Sequence, residues 1–215
     1  MNDWSSNRKK DLDLVVARTD GSAHSQTFDL RELAEKLDIH LTAQEKTDLN
    51  ALPTGSGGEA GATVLVALEA KACMTEHSKA APRLHDELTA SFHTVHGDNA
   101  HALAIGLVMI NNADAFISPE RNKTLGIPDE VTIHNQPKAT EKVISKVGEI
   151  NRRPGPASGK DGFDALGIIV VDLQNDGSPV ELIRTPPAPQ ANSPFHWNNM
   201  ILRAASIYDS TYANV

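Results

Sequence analysis

Glu69 and Lys71 are the residues best placed to do chemistry, in the stretch Thr63 to Lys71 that reads T-V-L-V-A-L-E-A-K. Val64, Leu65, Val66 and Leu68 form an apolar, β-rich run, the composition of a strand buried on both faces. Side chains alternate along a strand, so Glu69 and Lys71 share a face about 7 Å apart. A carboxylate and an ammonium together at the end of a buried strand are costly unless paired, solvated or bound. The pair suits a divalent metal held by the carboxylate, with a water or phosphate oxygen polarised by the lysine.

The elements that must position this pair are those of an α/β chain. Asp11 to Arg18 (D-L-D-L-V-V-A-R) reads as a strand, Thr19 to Ser22 as a turn, and Ser25 to Leu30 as a returning strand. A short amphipathic helix follows over 29–37 and a second over 42–52, with Thr42 and Glu45 forming a capping box. Pro53 to Gly61 is a glycine-rich loop leading into the central strand. After it come a helix over about 78–92, with Ala81, Leu84, Leu88 and Phe92 inward, and a buried strand over 101–110. Strand, helix, strand implies a parallel crossover beside the central strand. Further on, 115–118 is a short strand and 139–151 a helix with Val143, Ile144, Val147 and Ile150 inward. The segment 151–162 is a mobile basic loop. A third buried strand at 165–173 pairs with 180–183, and a closing helix over 194–208 turns Trp197, Ile201 and Ala204 or Ala205 inward. The expectation is one domain over 1–215 with a helical insertion at about 29–60.

An acid near a strand, then Glu69-Ala70-Lys71 at the end of the next core strand, then a helix and a parallel strand, resembles the PD-(D/E)xK nuclease superfamily, typified by type II restriction endonucleases. The resemblance covers roughly residues 11–118. It implies a restriction-endonuclease-like mixed central sheet flanked by helices, and Mg²⁺-dependent hydrolysis of DNA. Asp13, Glu69 and the Ala70 carbonyl would hold the metal, hard oxygen donors being what Mg²⁺ prefers. Lys71 would orient or deprotonate the attacking water, or stabilise charge on the phosphorus. The first acid is open among three positions. Asp13 is favoured because it begins an apolar strand; Glu59 lies on the glycine loop with nine residues between it and Glu69; Asp11 shares the face of Asp13. Glu32 or Glu35, on the inserted helices, would supply any additional acidic ligand. A homodimer is expected, since two-fold symmetry matches a palindromic site. The alternatives are a non-catalytic DNA-binding or interaction protein of the same fold, and a repair or toxin DNase.

Lys79, Arg83, Arg152, Arg153 and Lys160 are expected to contact the DNA backbone, with Arg83 and Glu87 at ion-pair spacing. His93, His96 and His101 lack the fixed spacing of a zinc helix and read as polar loop residues or DNA contacts. Gly155 to Lys160 has one residue too few between its glycines for a nucleotide-binding loop. Phe195 and Trp197 read as core anchors. No G-x-S-x-G elbow is present, and Cys73, the only cysteine, excludes an internal disulfide. With 40% apolar residues, a formal charge of −8 and no apolar run near the ~20 residues of a membrane span, the chain reads as a globular cytoplasmic protein.

Overall fold

The computed structural model describes residues 2–3, 8–18, 34–51, 63–119, 122–123, 126 and 130–212. The chain forms two compact units, one of residues 1–16 with 65–215, the other of residues 17–64. The expected turn and returning strand at 19–30 and the loop at 53–61 lie outside the described residues, as does most of the helix at 29–37.

In chain order the strands are β1 (Asn2–Asp3), β2 (Arg8–Lys9), β3 (Leu14–Arg18), β4 (Thr63–Cys73), β5 (Leu103–Asn111), β6 (Ala115–Ile117), β7 (Val131–Ile133), β8 (Ala165–Asp172) and β9 (Glu181–Leu182). The helices are α1 (Ala43–Ala51), α2 (His77–Asp98), α3 (Lys138–Gly148) and α4 (Trp197–Tyr212). Within the smaller unit, α1 opens on the expected capping box. The Thr42 amide donates to Glu45 Oε2 at 2.7 Å and the Glu45 amide to Thr42 Oγ1 at 3.3 Å.

A mixed five-stranded sheet in the order β3-β4-β5-β8-β9 carries the larger unit. Strands β4, β5 and β8 run parallel, with Glu69 opposite Gly106 and Gly106 opposite Leu166; β9 returns antiparallel on β8. The parallel crossover expected from the apolar runs is present. Two ribbons, β1-β2 and β6-β7, stand apart from this sheet.

Helix α2 buries Ala81, Leu84, Leu88, Phe92 and Val95, the repeat of three and four that makes one apolar stripe. Each large member contributes about 1.5–3 kcal/mol by leaving water. Val143 and Val147 of α3 are fully buried, and α2 and α3 pack on each other and on β5. Helix α4 packs with Met200 and Ala204 against Ile105, Ala165, Val66, Leu68 and Leu107. Alternation along β4 then puts Glu69 on the face opposite α4.

Two expectations are corrected here. Ile201 is 48% exposed, and Met200 takes the inward place one residue earlier. The cause is Gly167 on β8, where a Cβ would stand 2.6 Å from Met200 Sδ, so the bare strand admits the thioether. The segment 151–162 is anchored rather than mobile. The Phe163 amide donates to Asn151 O and the Arg153 amide to Phe163 O, both at 3.0 Å, and Pro156–Ser158 forms a 3₁₀ turn. Gly162, at φ +139°, has no room for a Cβ beside Asn151 O. Among the described residues, no helix is long and apolar enough to cross a membrane.

Candidate active site

Glu69 is the buried carboxylate of β4, 2% exposed. Its Oε1 lies 2.5 Å from Lys71 Nζ and 3.1 Å from Lys10 Nζ. Both ammoniums meet the same buried oxygen, so the carboxylate is held by two cations from one side. Lys10 also donates to Glu87 O at 3.3 Å and to Ser91 Oγ, which ties the carboxylate to α2.

Burial acts on Lys71 to weaken its charged form, but contact with Glu69 and the fields of Asp13 and Glu87 outweigh it and raise its pKa. The side chain is therefore an ammonium at neutral pH. That favours orienting and charge-stabilising roles over proton abstraction, which needs the neutral amine.

Asp13 reaches the same strand. Its Oδ2 accepts the Ala70 amide at 2.7 Å, across 57 positions of sequence. An acid at the mouth of β3 thus meets the residue between Glu69 and Lys71, and its field is felt by Lys71. On the other flank, Gly106 is the registered neighbour of Glu69, and a Cβ there would stand 2.6 Å from Leu166 Cδ1 and 3.2 Å from the Phe163 ring. Hydrocarbon fills that side.

The donors fit a hard divalent cation in kind. Two carboxylates and the Ala70 carbonyl are oxygen donors, and Glu69 Oε1 is a buried oxygen with partly exposed cations beside it. Among the described residues no three His, Cys, Asp or Glu side chains gather to hold a metal. Mg²⁺ needs no such cage: it is usually held by one or two carboxylates, completing its shell with water and phosphate oxygens.

Glu59 and Glu32 lie outside the described residues. Among the described ones the other expected residues do not converge on Glu69, and Asp11, exposed like Asp13, lacks the bond that Asp13 makes to Ala70. Lys79 pairs with Glu76 at 2.7 Å and Arg83 with Glu87 at 3.5 Å, both on the exposed face of α2. Lys160 is exposed, and Arg152 lies 4.5 Å over the Phe195 ring. Arg153 is corrected as a backbone contact. It is buried, with Nε and Nη2 on the two oxygens of Asp164 at 2.9 Å and further bonds to Ala100 O and Ala102 O. His93 and His101 are exposed, while His96 Nε2 is 3.9 Å from Asp164 Oδ2, too far for a hydrogen bond. Cys73 is buried, which pushes its thiol up to about 12 and leaves it no nucleophile at neutral pH.

Sequence reasoning missed Lys10, which sits among polar residues with no periodic signal. It also missed a polar tie at the C-terminal ends of the parallel strands. Asn111 Nδ2 donates to Met74 O at 3.1 Å and Leu173 O at 2.8 Å, and its Oδ1 accepts the Ala113 and Leu173 amides. His77 Nε2 donates to Asn111 O at 2.7 Å, and burial lowers the pKa of this imidazole, keeping it neutral. His134 donates from Nδ1 to Ala113 O, so its Nε2 accepts from Thr75 Oγ1. Asn111, His77 and His134 each serve backbone, which marks the tie as structural. No family model, curated protein or solved structure matches this chain.

Proposed function

We propose that this chain is a Mg²⁺-dependent endonuclease acting on double-stranded DNA, with a restriction-endonuclease-like fold and a homodimeric, cytoplasmic working form. The observation that carries the reading is Asp13 bonded to the Ala70 amide beside buried Glu69 and protonated Lys71. Asp13 and Glu69 are the metal-holding carboxylates. A bound divalent ion supplies Lewis acidity toward water and the scissile phosphate. Lys71 offers a fixed positive charge to the phosphate oxygens as negative charge grows on them. Lys10 positions Glu69 from the α2 side.

The test is cleavage of supercoiled DNA by wild type, Glu69→Ala and Lys71→Ala with Mg²⁺ or EDTA. Wild-type nicking or linearisation that disappears with EDTA and in both variants is expected. Discrete fragments from phage DNA indicate a restriction enzyme, and a smear a repair or toxin DNase. Cutting that survives in both variants overturns the site. A second reading, a non-catalytic DNA-binding or interaction protein, is favoured by the double pairing of Glu69 Oε1 with lysines. Absence of cutting, with duplex binding retained, selects it.

A further inference from the structure

On the face of the sheet opposite Glu69, α4 and the 152–154 segment enclose an open cleft of about 580 Å³. Arg152, Arg203, Asn199 and Ser206 line it, with Pro154 and Pro194 as apolar walls. Two guanidiniums face one space, and no carboxylate among the lining residues answers them. Among the described residues neither arginine has an ion-pair partner.

Both cations are held in place. Arg203 donates from Nε to Asp164 O at 2.6 Å and from Nη2 to Arg153 O and Pro154 O, which leaves Nη1 without a bond among the described residues. Arg152 makes no hydrogen bond there and is steadied by its stacking over Phe195. Burial, and next the charge of Arg203, lower the pKa of Arg152. A bound anion relieves the repulsion between the two charges. Asn199 gives its amide hydrogens to Ala191 O and Ser193 O, so its side chain has only its carbonyl oxygen, an acceptor, left to offer a ligand. Donors for an anion, beside an acceptor and apolar walls, match an organic phosphate with a hydroxyl better than a bare ion.

We propose that the cleft between α4 and the 152–154 segment binds the phosphate group of a small phosphate ester of nucleotide size, through Arg152, Arg203 Nη1 and Ser206. This site is separate from Glu69 and Lys71 and does not depend on the nuclease reading.

The test is calorimetric titration of the full chain with adenosine 5′-monophosphate, inorganic phosphate or a short DNA duplex, in wild type, Arg152→Gln and Arg152→Lys. Arg152 is exposed and holds no backbone, so both variants should fold, which circular dichroism checks. Saturable binding of the monophosphate is expected, weakened about tenfold or more in Arg152→Gln through loss of a charge-assisted bond and largely kept in Arg152→Lys. Equal affinity for inorganic phosphate would support the anion site and overturn the ester. Duplex binding that is lost in Arg152→Gln, with no binding of either small anion, would overturn the small ligand in favour of a strand backbone. No binding of any titrant, or binding indifferent to Arg152→Gln, would overturn the site.

Discussion

Among the described residues of this sheet unit two carboxylates are buried, and they are treated in opposite ways. Asp164 is wholly enclosed, and donors meet both its oxygens: Arg153 on each, and the Ala104 amide at 2.8 Å on Oδ2. Burial acts to raise its pKa, but its contacts with His96, Arg153 and that amide win and lower it. Glu69 has two lysines at one oxygen, and both lysines are partly open to solvent. A closed pair with every bond made is a structural device, since breaking it strands a charge. A carboxylate whose partners reach solvent can exchange them at lower cost, because the released cation is solvated. Burial of the acid by itself does not tell the two apart; exposure of its partners does.

The sharpest way to break the comparison is to remove one partner from each cluster. Arg153→Ala should cost about 3–5 kcal/mol in chemical denaturation, because Asp164 is left charged and unpaired in the interior. Glu69→Gln should leave stability within about 1 kcal/mol, since Lys10 and Lys71 can turn to water. Its cost should appear in Mg²⁺-dependent DNA cleavage, reduced by at least about 100-fold. Equal stability losses in the two variants would end the distinction.

Two pH effects are smaller. Lys71 has a raised pKa in the folded chain, so its stabilisation is complete below the unfolded value of about 10.4 and is lost as pH rises through the folded one. Lys71→Met should flatten the alkaline limb of a stability–pH curve. His77 is shifted the other way. On acidification the unfolded chain takes up its proton first, so stability falls as pH drops below about 6.5 and is unaffected above it. His77→Gln should remove that acid slope, read by urea unfolding between mild acid and neutrality.

The sequence made the architecture of the larger unit legible where apolar runs were long. The strands at 63–73, 103–111 and 165–172 and the stripe of α2 follow from hydrophobic period alone. Glu69 and Lys71 were legible because alternation fixes their common face. Asp13 could be favoured over Glu59 only for the apolar strand it begins, since a contact across 57 positions leaves no local mark. Arg153 looked like loop charge because its partner Asp164 lies eleven residues on, beyond a glycine-rich turn. Ile201 and Met200 were exchanged because both are apolar and adjacent, and only the bare backbone of Gly167 decides which one enters.

The glycine beside Glu69 has a consequence for direction. With Gly106 bare and Leu166 and Phe163 drawn over it, the carboxylate has hydrocarbon on its β5 flank, while Asp13 and Lys71 lie on or beside its own strand. The electric field at Glu69 is therefore lopsided, weakly screened toward the interior and shaped by charge toward the β3 edge. A side chain placed at position 106 would have to push Leu166 or Phe163 aside, so it would change the medium behind the carboxylate while leaving the charged groups on the β3 side in place.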